Sequence, residues 1–287
     1  MQGDPEIALP SEDEYVLGTH EQEVERLFDQ HRVWRPFVFN AWQRAGFRRG
    51  QVLLDIGCGP GAATLDLAEL VGPSGQVIAV DRSRLFLDVL QRQALARGVA
   101  NIHAHCADVL DWRAEAPVEG AWCRWLFSFV SDPARLAQSL AQWCRPHARL
   151  VVHEYYDYGA WRMHPSVPEL DEFVSAVMQS WRDTGGEPDI ALTLPRLFVD
   201  SGFRLLEQRP LAQVLTTRDH AWLWPSGFLK TGVERLVQLK YLSPARARKI
   251  HDAYVEAERT PGVQMVAPAV MEIIAERLPP ASAGNIA

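Results

Sequence analysis

Residues Val52-Leu53-Leu54-Asp55-Ile56-Gly57-Cys58-Gly59-Pro60-Gly61 decide the fold of this chain. The apolar run from 52 to 56 predicts a strand that is buried on both faces, as strands of parallel sheets are. Glycines at alternate positions then predict a tight turn, where a positive φ or a close approach of ligand to backbone favours glycine. A helix predicted from residue 62 points its free N–H groups at the same place. The stretch therefore predicts a site for a small polar ligand.

The spacing of the glycines indicates which ligand binds. A dinucleotide-binding turn has the pattern Gly-x-Gly-x-x-Gly, whereas this chain has Gly-x-Gly-x-Gly, with Asp55 inside the preceding strand. The next predicted strand, residues 76–80, leads into Asp81, whose carboxylate is placed to take two ribose hydroxyls. Together these residues resemble motifs I and II of the class I S-adenosylmethionine (SAM)-dependent methyltransferases. The alternative is an NAD-dependent oxidoreductase on a similar sheet, and the glycine spacing and Asp55 argue against it.

The resemblance implies SAM as the cofactor and assigns residues to it. An acid after the third predicted strand, residues 101–106, would accept the adenine amino group, which points to Asp108 with Val109, and the neighbouring Asp111 is the alternative. The cofactor-binding residues expected from the core are Asp55, Gly57, Cys58, Gly59, Asp81, Arg82, Asp108 and Val109.

Three residues outside these motifs are further candidates near the amino terminus. Residues 15–30 resemble a leader that folds over the cofactor in a bacterial branch of small-molecule methyltransferases. The likeness makes Tyr15, Arg26 and Gln30 candidates for the methionine end of SAM. An ordinary solvated helix face is the other interpretation of this segment.

Arg124 is the last candidate for the cofactor. It lies near the end of the fourth predicted strand, residues 121–127. An arginine is too polar for a buried strand unless it has a partner. It either pairs with a carboxylate of the protein or contacts the cofactor, and we favour the cofactor.

The order of the predicted elements indicates an α/β fold: a Rossmann-like, seven-stranded, mostly parallel sheet with helices on both faces and a helical lid. Strand six is expected to run from Phe203 to about Leu215. Segment 263–278 fits helical spacing as well, but the resemblance favours a seventh, antiparallel strand beside strand six. We divide the chain into an N-terminal helical arm (1–49), a SAM-binding core (50–157), a lid insertion (158–190), a core continuation (191–217), a second lid insertion (218–259) and a last core strand with tail (260–287).

Composition excludes several classes of function. The 287 residues carry a net charge of −7 and contain three lysines without a basic block, so a nucleic-acid partner is disfavoured. The acidic start does not resemble a signal peptide, and no apolar run approaches the ~18 residues of a membrane span. Four scattered cysteines without a Cys-x-x-Cys pair predict a reducing cytoplasm and no metal site. Composition does not decide between a monomer and a homodimer.

Polar and aromatic residues that follow the fifth predicted strand, residues 149–152, are the best candidates for chemistry on a substrate. Open α/β sheets bind ligands at the carboxyl ends of their strands. His153 is a candidate base because its ordinary pKa lies near neutrality, Glu154 is its rival, and both could be structural. The expected substrate contacts are Tyr155, Tyr156, Trp181 and Trp222, with internal packing as the other interpretation of the tryptophans.

These expectations combine into one predicted function. The resemblance implies methyl transfer from SAM to a small, apolar or aromatic metabolite with an oxygen or nitrogen acceptor. Alignment of the acceptor alone could suffice for catalysis. A non-catalytic SAM-binding partner protein is the remaining alternative, and a second pocket beside the cofactor would distinguish the two.

Overall fold

The computed structural model describes residues 21–280. Its helices are α1 Glu21–Ala45, α2 Ala62–Val71, α3 Arg84–Ala96, α4 Pro133–Trp143, α5 Pro168–Asp183, α6 Leu194–Asp200, α7 Leu223–Gln238 and α8 Pro244–Arg259. Its strands are β1 Val52–Ile56, β2 Gln76–Asp81, β3 Ile102–Cys106, β4 Val118–Arg124, β5 Cys144–Asp157, β6 Arg162–His164, β7 Phe203–Leu211, β8 Val214–Thr216, β9 Gln264–Val266 and β10 Ala269–Arg277.

Seven strands form the central sheet in the order β3-β2-β1-β4-β5-β10-β7. The pairs from β3 to β5 are parallel, and β10 runs antiparallel to both of its neighbours. The chain moves outward from β1 to β2 and β3 on one side, and through β4 to β5 on the other. The strand order therefore reverses between β1 and β4, which is where open α/β sheets bind their ligands. This confirms the predicted seven-stranded, mostly parallel sheet.

Alternating residues of the strands pack against helices on opposite faces of the sheet. Leu53 of β1 and Trp122 of β4 belong to a buried cluster with α1 and α2. Their neighbours in sequence, Leu54 and Cys123, belong to a second buried cluster with α4 and α6. Successive side chains of a strand point to opposite faces, so the two clusters confirm helices on both faces.

The last strand settles one open prediction and corrects another. Residues 269–277 form β10, so the helical interpretation of this segment is wrong. The strand predicted as the sixth of the sheet is β7. It is shorter than expected and ends at Leu211, which pairs with Val270 near the start of β10. Beyond that point β10 offers no partner, and the chain enters a second, three-stranded sheet of order β6-β9-β8.

The helices of the two inserted segments pack together with α1. The apolar faces of α5, α7 and α8 join the buried cluster that contains Trp34 and Val38 of α1. Polar contacts tie the helices to one another as well: Tyr241 Oη donates to Asp183 across 2.7 Å, and Trp222 Nε1 donates to Glu258 across 2.7 Å. Arm and insertions thus cover one face of the fold together. The boundaries that we drew between domains stay a prediction.

No helix within residues 21–280 combines the length and apolar character that crossing a membrane requires.

The glycine turn after β1 generates a stability prediction. Gly61 has a φ of +85°, and a Cβ there would lie 2.3 Å from Leu90 Cδ1 of α3. Gly61→Ala should lower the free energy of unfolding by about 2–4 kcal/mol, because a left-handed backbone and an overpacked core add their costs. Gly98→Ala is the matched control, since Gly98 has a φ of +65° and open space around it. The free energy of unfolding of Gly98→Ala, measured by urea denaturation, should fall by only about 1–2 kcal/mol. Equal losses in the two variants would contradict the predicted clash.

Candidate functional site

Two neighbouring cavities lie above the carboxyl ends of β1, β2 and β4. The first, which we call the β2–β3 cavity, has a volume of about 220 Å³ and is lined by Asp81, Arg82, Asp108, Val109 and Leu110, among others. The second, which we call the aromatic cavity, has a volume of about 100 Å³ and lies between the glycine turn, α1 and the inserted helices. Gly57, Trp125 and Phe129 line both cavities. The two cavities are therefore adjacent, and we call them together the cleft.

The glycine turn forms the floor of this cleft. Gly59 has a φ of +54°, and a Cβ added to it would meet no atom within 4 Å. Glycine is favoured there because the backbone is left-handed, and because the open side faces the aromatic cavity, which Gly59 lines. A ligand can therefore lie directly against the backbone at this turn.

Asp81 holds the turn against the end of β2. Its carboxylate accepts hydrogen bonds from the N–H groups of Gly59, at 2.8 Å, and Ser83, at 2.9 Å. Burial raises the pKa of Asp81, and these two hydrogen bonds oppose the rise. Asp81 lines the β2–β3 cavity, as expected for a ribose-binding acid.

Asp108 and Asp111 were alternative candidates for one role, and the structure separates them. Asp108 lines the β2–β3 cavity, and its Oδ1 accepts a hydrogen bond from the Leu110 N–H at 2.8 Å. Asp111 is exposed and pairs with Arg135 at 3.1 Å, outside both cavities. Of the two acids, only Asp108 can contact a ligand in the cleft.

Charged and polar side chains line the floor and one wall of the aromatic cavity. Arg26 and Gln30 of α1 reach it together: Arg26 Nη1 donates to Gln30 Oε1 at 2.6 Å, and Arg26 also pairs with Glu23. Asp55 of β1 accepts a hydrogen bond from Thr64 at 2.7 Å. Burial raises the pKa of Asp55 to about 7 against the effect of that bond.

Arg124 ends β4 at the same cavity. Its Nη2 lies 3.2 Å from Nδ1 of His31, and its Nη1 is buried without a hydrogen-bond partner among the described residues. Burial lowers the pKa of Arg124 to about 10, while Asp55 opposes the shift. The guanidinium also lies 4.9 Å from the ring centre of Trp125. Across residues 21–280 Arg124 forms no ion pair with a carboxylate, so the first of its two predicted partners is not found there.

Aromatic rings make another wall of this cavity. Trp125 lies nearly parallel to Tyr155, with ring centres 5.3 Å apart, and to Trp224, at 5.7 Å. Trp181 lines the cavity too, as expected, and Phe129 and Phe228 complete this wall. Sequence reasoning missed Trp125 and Trp224 as site residues. Trp125 directly follows Arg124 at a strand end, which was a usable signal, whereas Trp224 is brought in by the packing of α7.

Two predicted substrate contacts lie elsewhere. Tyr156 follows Tyr155 in β5, and successive side chains of a strand point to opposite faces, so it lines neither cavity. Trp222 is buried among the inserted helices, where its indole N–H donates to Glu258. Tyr15, the remaining candidate for the cofactor, lies outside the described residues.

The structure places His153 and Glu154, the two candidates for a catalytic base, inside the protein and away from both cavities. Both side chains are fully buried. His153 Nε2 bonds to Glu272 of β10 at 3.1 Å, and burial lowers the pKa of His153.

Glu154 has a structural role in the turn after β4. It accepts hydrogen bonds from the N–H groups of Leu126, at 2.6 Å, and Phe127, at 2.7 Å, and from the hydroxyl of Ser128, at 2.7 Å. Burial raises the pKa of Glu154 to about 7 against these bonds. Its contacts hold the turn that carries Trp125.

No group of three or more His, Cys, Asp or Glu side chains within the described part of the chain is arranged to hold a metal ion.

Comparison with known proteins finds a family model that matches part of the core and solved structures that share the fold. Residues 53–147 match the family described as "Methyltransferase domain". Demethylmenaquinone methyltransferase of Staphylococcus carnosus (strain TM300) is 36% identical over 84 residues, which are 29% of this chain and 33% of that protein. The matched stretch thus spans one third of the relative.

Solved structures align over most of the chain. Geranyl diphosphate C-methyltransferase from Streptomyces coelicolor A3(2), in complex with S-adenosyl-L-homocysteine (SAH) among other ligands, covers 86% of this chain and 77% of its own, with 18% identity and a TM-score of 0.54. The [4+2]-cyclase SpnF covers 85% and 81%, with 18% identity and a TM-score of 0.52. Likeness at this identity shows the fold alone. Residues 53–147 therefore match a methyltransferase domain, and the chain has the Rossmann-like fold of the SAM-dependent methyltransferases.

Proposed function

We propose that this chain transfers a methyl group from SAM to a small apolar or aromatic metabolite. The observation that carries the proposal is the pair of adjacent cavities, one lined by Asp81 and Asp108 and the other by Arg124, whose buried Nη1 has no hydrogen-bond partner among the described residues. A nucleoside joined to an amino acid needs hydrogen-bond acceptors at one end and a cation at the other. Gly57 of the glycine turn lines both cavities, and the open backbone at Gly59 lines the aromatic cavity.

Different side chains of the cleft would bind different parts of the cofactor. Asp108 and Val109 would hold the adenine ring, and Asp81 with Arg82 would hold the ribose. Arg124 would bind the carboxylate of the methionine end, with Arg26, Gln30 and Asp55 beside it. Bound SAM supplies a methyl group that its sulfonium activates for transfer.

Few side chains of the aromatic cavity could remove a proton from an acceptor. Its titratable groups among the described residues are the two arginines, Asp55, Cys58 and Tyr155. Burial raises the pKa values of Cys58 and Tyr155, so both stay protonated at neutral pH. Asp55 is bonded to Thr64 behind the glycine turn. We therefore assign catalysis chiefly to alignment and exclusion of water, which can supply roughly 7–11 kcal/mol.

The acceptor is inferred from the aromatic wall. Trp125, Tyr155, Trp181 and Trp224 offer ring faces to a flat or apolar molecule. We infer an oxygen or nitrogen acceptor on a metabolite rather than on a nucleic acid, because the chain is acidic and has no basic block. The free cysteines of the described residues fit a reducing cytoplasm.

Asp81 generates the first test of the cofactor. Asp81→Asn keeps the size of the side chain and removes its charge, so SAH binding should weaken by about 1.5–3 kcal/mol in calorimetry. Asp111→Asn is the matched control outside the cleft and should leave the affinity unchanged. Binding of NAD by the wild-type chain, with no binding of SAH, would overturn the proposal in favour of an oxidoreductase.

Asp108 generates a test of adenine recognition. Asp108→Ala should weaken SAH roughly tenfold, because the adenine amino group loses a charged acceptor. S-inosylhomocysteine carries an oxo group in place of that amino group and should bind the variant no worse than it binds the wild type. If the variant loses the same affinity for both ligands, Asp108 does not read the adenine amino group.

The reaction itself is tested by transfer of label. The chain should move a labelled methyl group from SAM into a small molecule of a metabolite extract, which mass spectrometry would then identify. The double variant Asp81→Asn, Asp108→Ala provides the control for background labelling. Tight SAH binding without any transfer would instead favour a non-catalytic SAM-binding protein or a reaction other than methylation, for which the fold of SpnF gives a precedent.

A further inference from the structure

A row of three side chains connects the surface of α2 to the aromatic cavity. Asp66 of α2 lies 3.0 Å from Nε2 of His31 on α1. Nδ1 of the same imidazole lies 3.2 Å from Nη2 of Arg124 at the end of β4. His31 and Asp66 are both buried, and Asp66 also accepts a hydrogen bond from Arg35 at 2.6 Å. Three separate elements thus meet behind the guanidinium.

Hydrogen-bond chemistry gives this row one direction. A guanidinium can only donate, so the lone pair of His31 Nδ1 must accept from Arg124. The proton of the neutral imidazole then lies on Nε2, from which it is donated to Asp66. Although burial acts against ionisation, the bonds from His31 and Arg35 keep the pKa of Asp66 below its ordinary value. Asp66 therefore remains a charged acceptor that selects this tautomer.

The row leaves one edge of Arg124 free. Nη2 is held by His31 from behind, and the buried Nη1 has no partner among the described residues, although Arg124 lines the cavity. A buried, unsatisfied cationic N–H is costly, and a ligand carboxylate would satisfy it. Holding a long arginine side chain in advance also removes part of the entropy cost of binding.

We propose that His31, oriented by Asp66, positions Arg124 to bind the amino-acid carboxylate of the cofactor. This inference rests on the proposed function. His31 is a positioning residue here, since it lines neither cavity and acts through Arg124. This role predicts that Nδ1, which accepts from Arg124, matters for cofactor affinity and that Nε2, which donates to Asp66, matters less.

Two substitutions at one position separate the two nitrogens. His31→Asn presents an amide oxygen near the place of Nδ1, and so can still accept from Arg124. His31→Gln places its amide nearer to the place of Nε2, where it can meet Asp66, and leaves Arg124 without an acceptor. Calorimetry should show SAH affinity within about threefold of wild type for His31→Asn and a loss of about tenfold or more for His31→Gln.

A truncated ligand makes the test specific to the carboxylate. 5′-Methylthioadenosine keeps the nucleoside and lacks the amino acid, so its affinity should be the same in wild type, His31→Asn and His31→Gln. Its binding also reports that each variant is folded around the cleft. Arg124→Ala should lose affinity for SAH alone.

The pH dependence gives a readout that packing alone would not move. Protonated His31 would place an N–H toward Arg124, so SAH affinity should hold at higher pH and fall as His31 becomes charged. Burial, with Arg124 and Arg35 nearby, lowers the pKa of His31 below 6.5, and Asp66 opposes that shift. The loss should therefore occur below pH 6.5 and be absent in His31→Asn. Asp55 titrates in the same cavity with a pKa of about 7, and it is common to both proteins, so the comparison isolates His31.

The outcomes distinguish a failure of the positioning role from a failure of the proposed function. Equal losses of affinity for SAH and for methylthioadenosine in the His31 variants would overturn the positioning role and leave the proposed function standing. A wild type that binds the two ligands equally well would have the same consequence. A wild type that binds neither ligand would overturn the proposed function, and the role of His31 would fall with it.

Discussion

The hydrogen bond from the Gly59 N–H to the Asp81 carboxylate joins the ends of two neighbouring strands, and the cleft is built on that junction. A buried carboxylate without donors would destabilise the fold. Without that carboxylate, the three left-handed glycines after β1 would have no side chain to hold their backbone in place. Each compensates for the other, because the turn supplies the donor and the carboxylate fixes the turn. The position of the cavities above β1 and β2 follows from this pair.

Sequence reasoning placed residues correctly where their position follows from the end of a strand. The glycine turn, Asp81 and Asp108 all follow strands of the parallel sheet, so topology alone brings them to one edge. It failed where a distant partner decides. His153 and Glu154 also stand at a strand end, but Glu272 of β10 and the backbone of residues 126–127 bind them inside the protein. Neither partner is visible from the neighbouring sequence.

The two walls of the cleft have different origins. The floor and, apart from Thr184, the lining of the β2–β3 cavity come from the stretch that matches a methyltransferase domain, residues 53–147. Arg26, Trp181, Trp224 and Phe228 reach the aromatic cavity from outside that stretch, by way of α1, α5 and α7. Much of the part of the site that would select an acceptor therefore comes from segments outside that stretch, which is why motifs could not predict the acceptor.

Trp125 occupies a backbone position that suits glycine better than tryptophan. Its φ of +50° costs a residue with a side chain about 1–2 kcal/mol. The bonds from the following N–H groups to Glu154 and the packing of the indole against Tyr155 and Trp224 offset that cost. Stability and ligand contact thus make opposite demands on residue 125, since a glycine would relax the chain and remove the ring. The fold therefore keeps a strained backbone at Trp125, the residue whose ring lines both cavities.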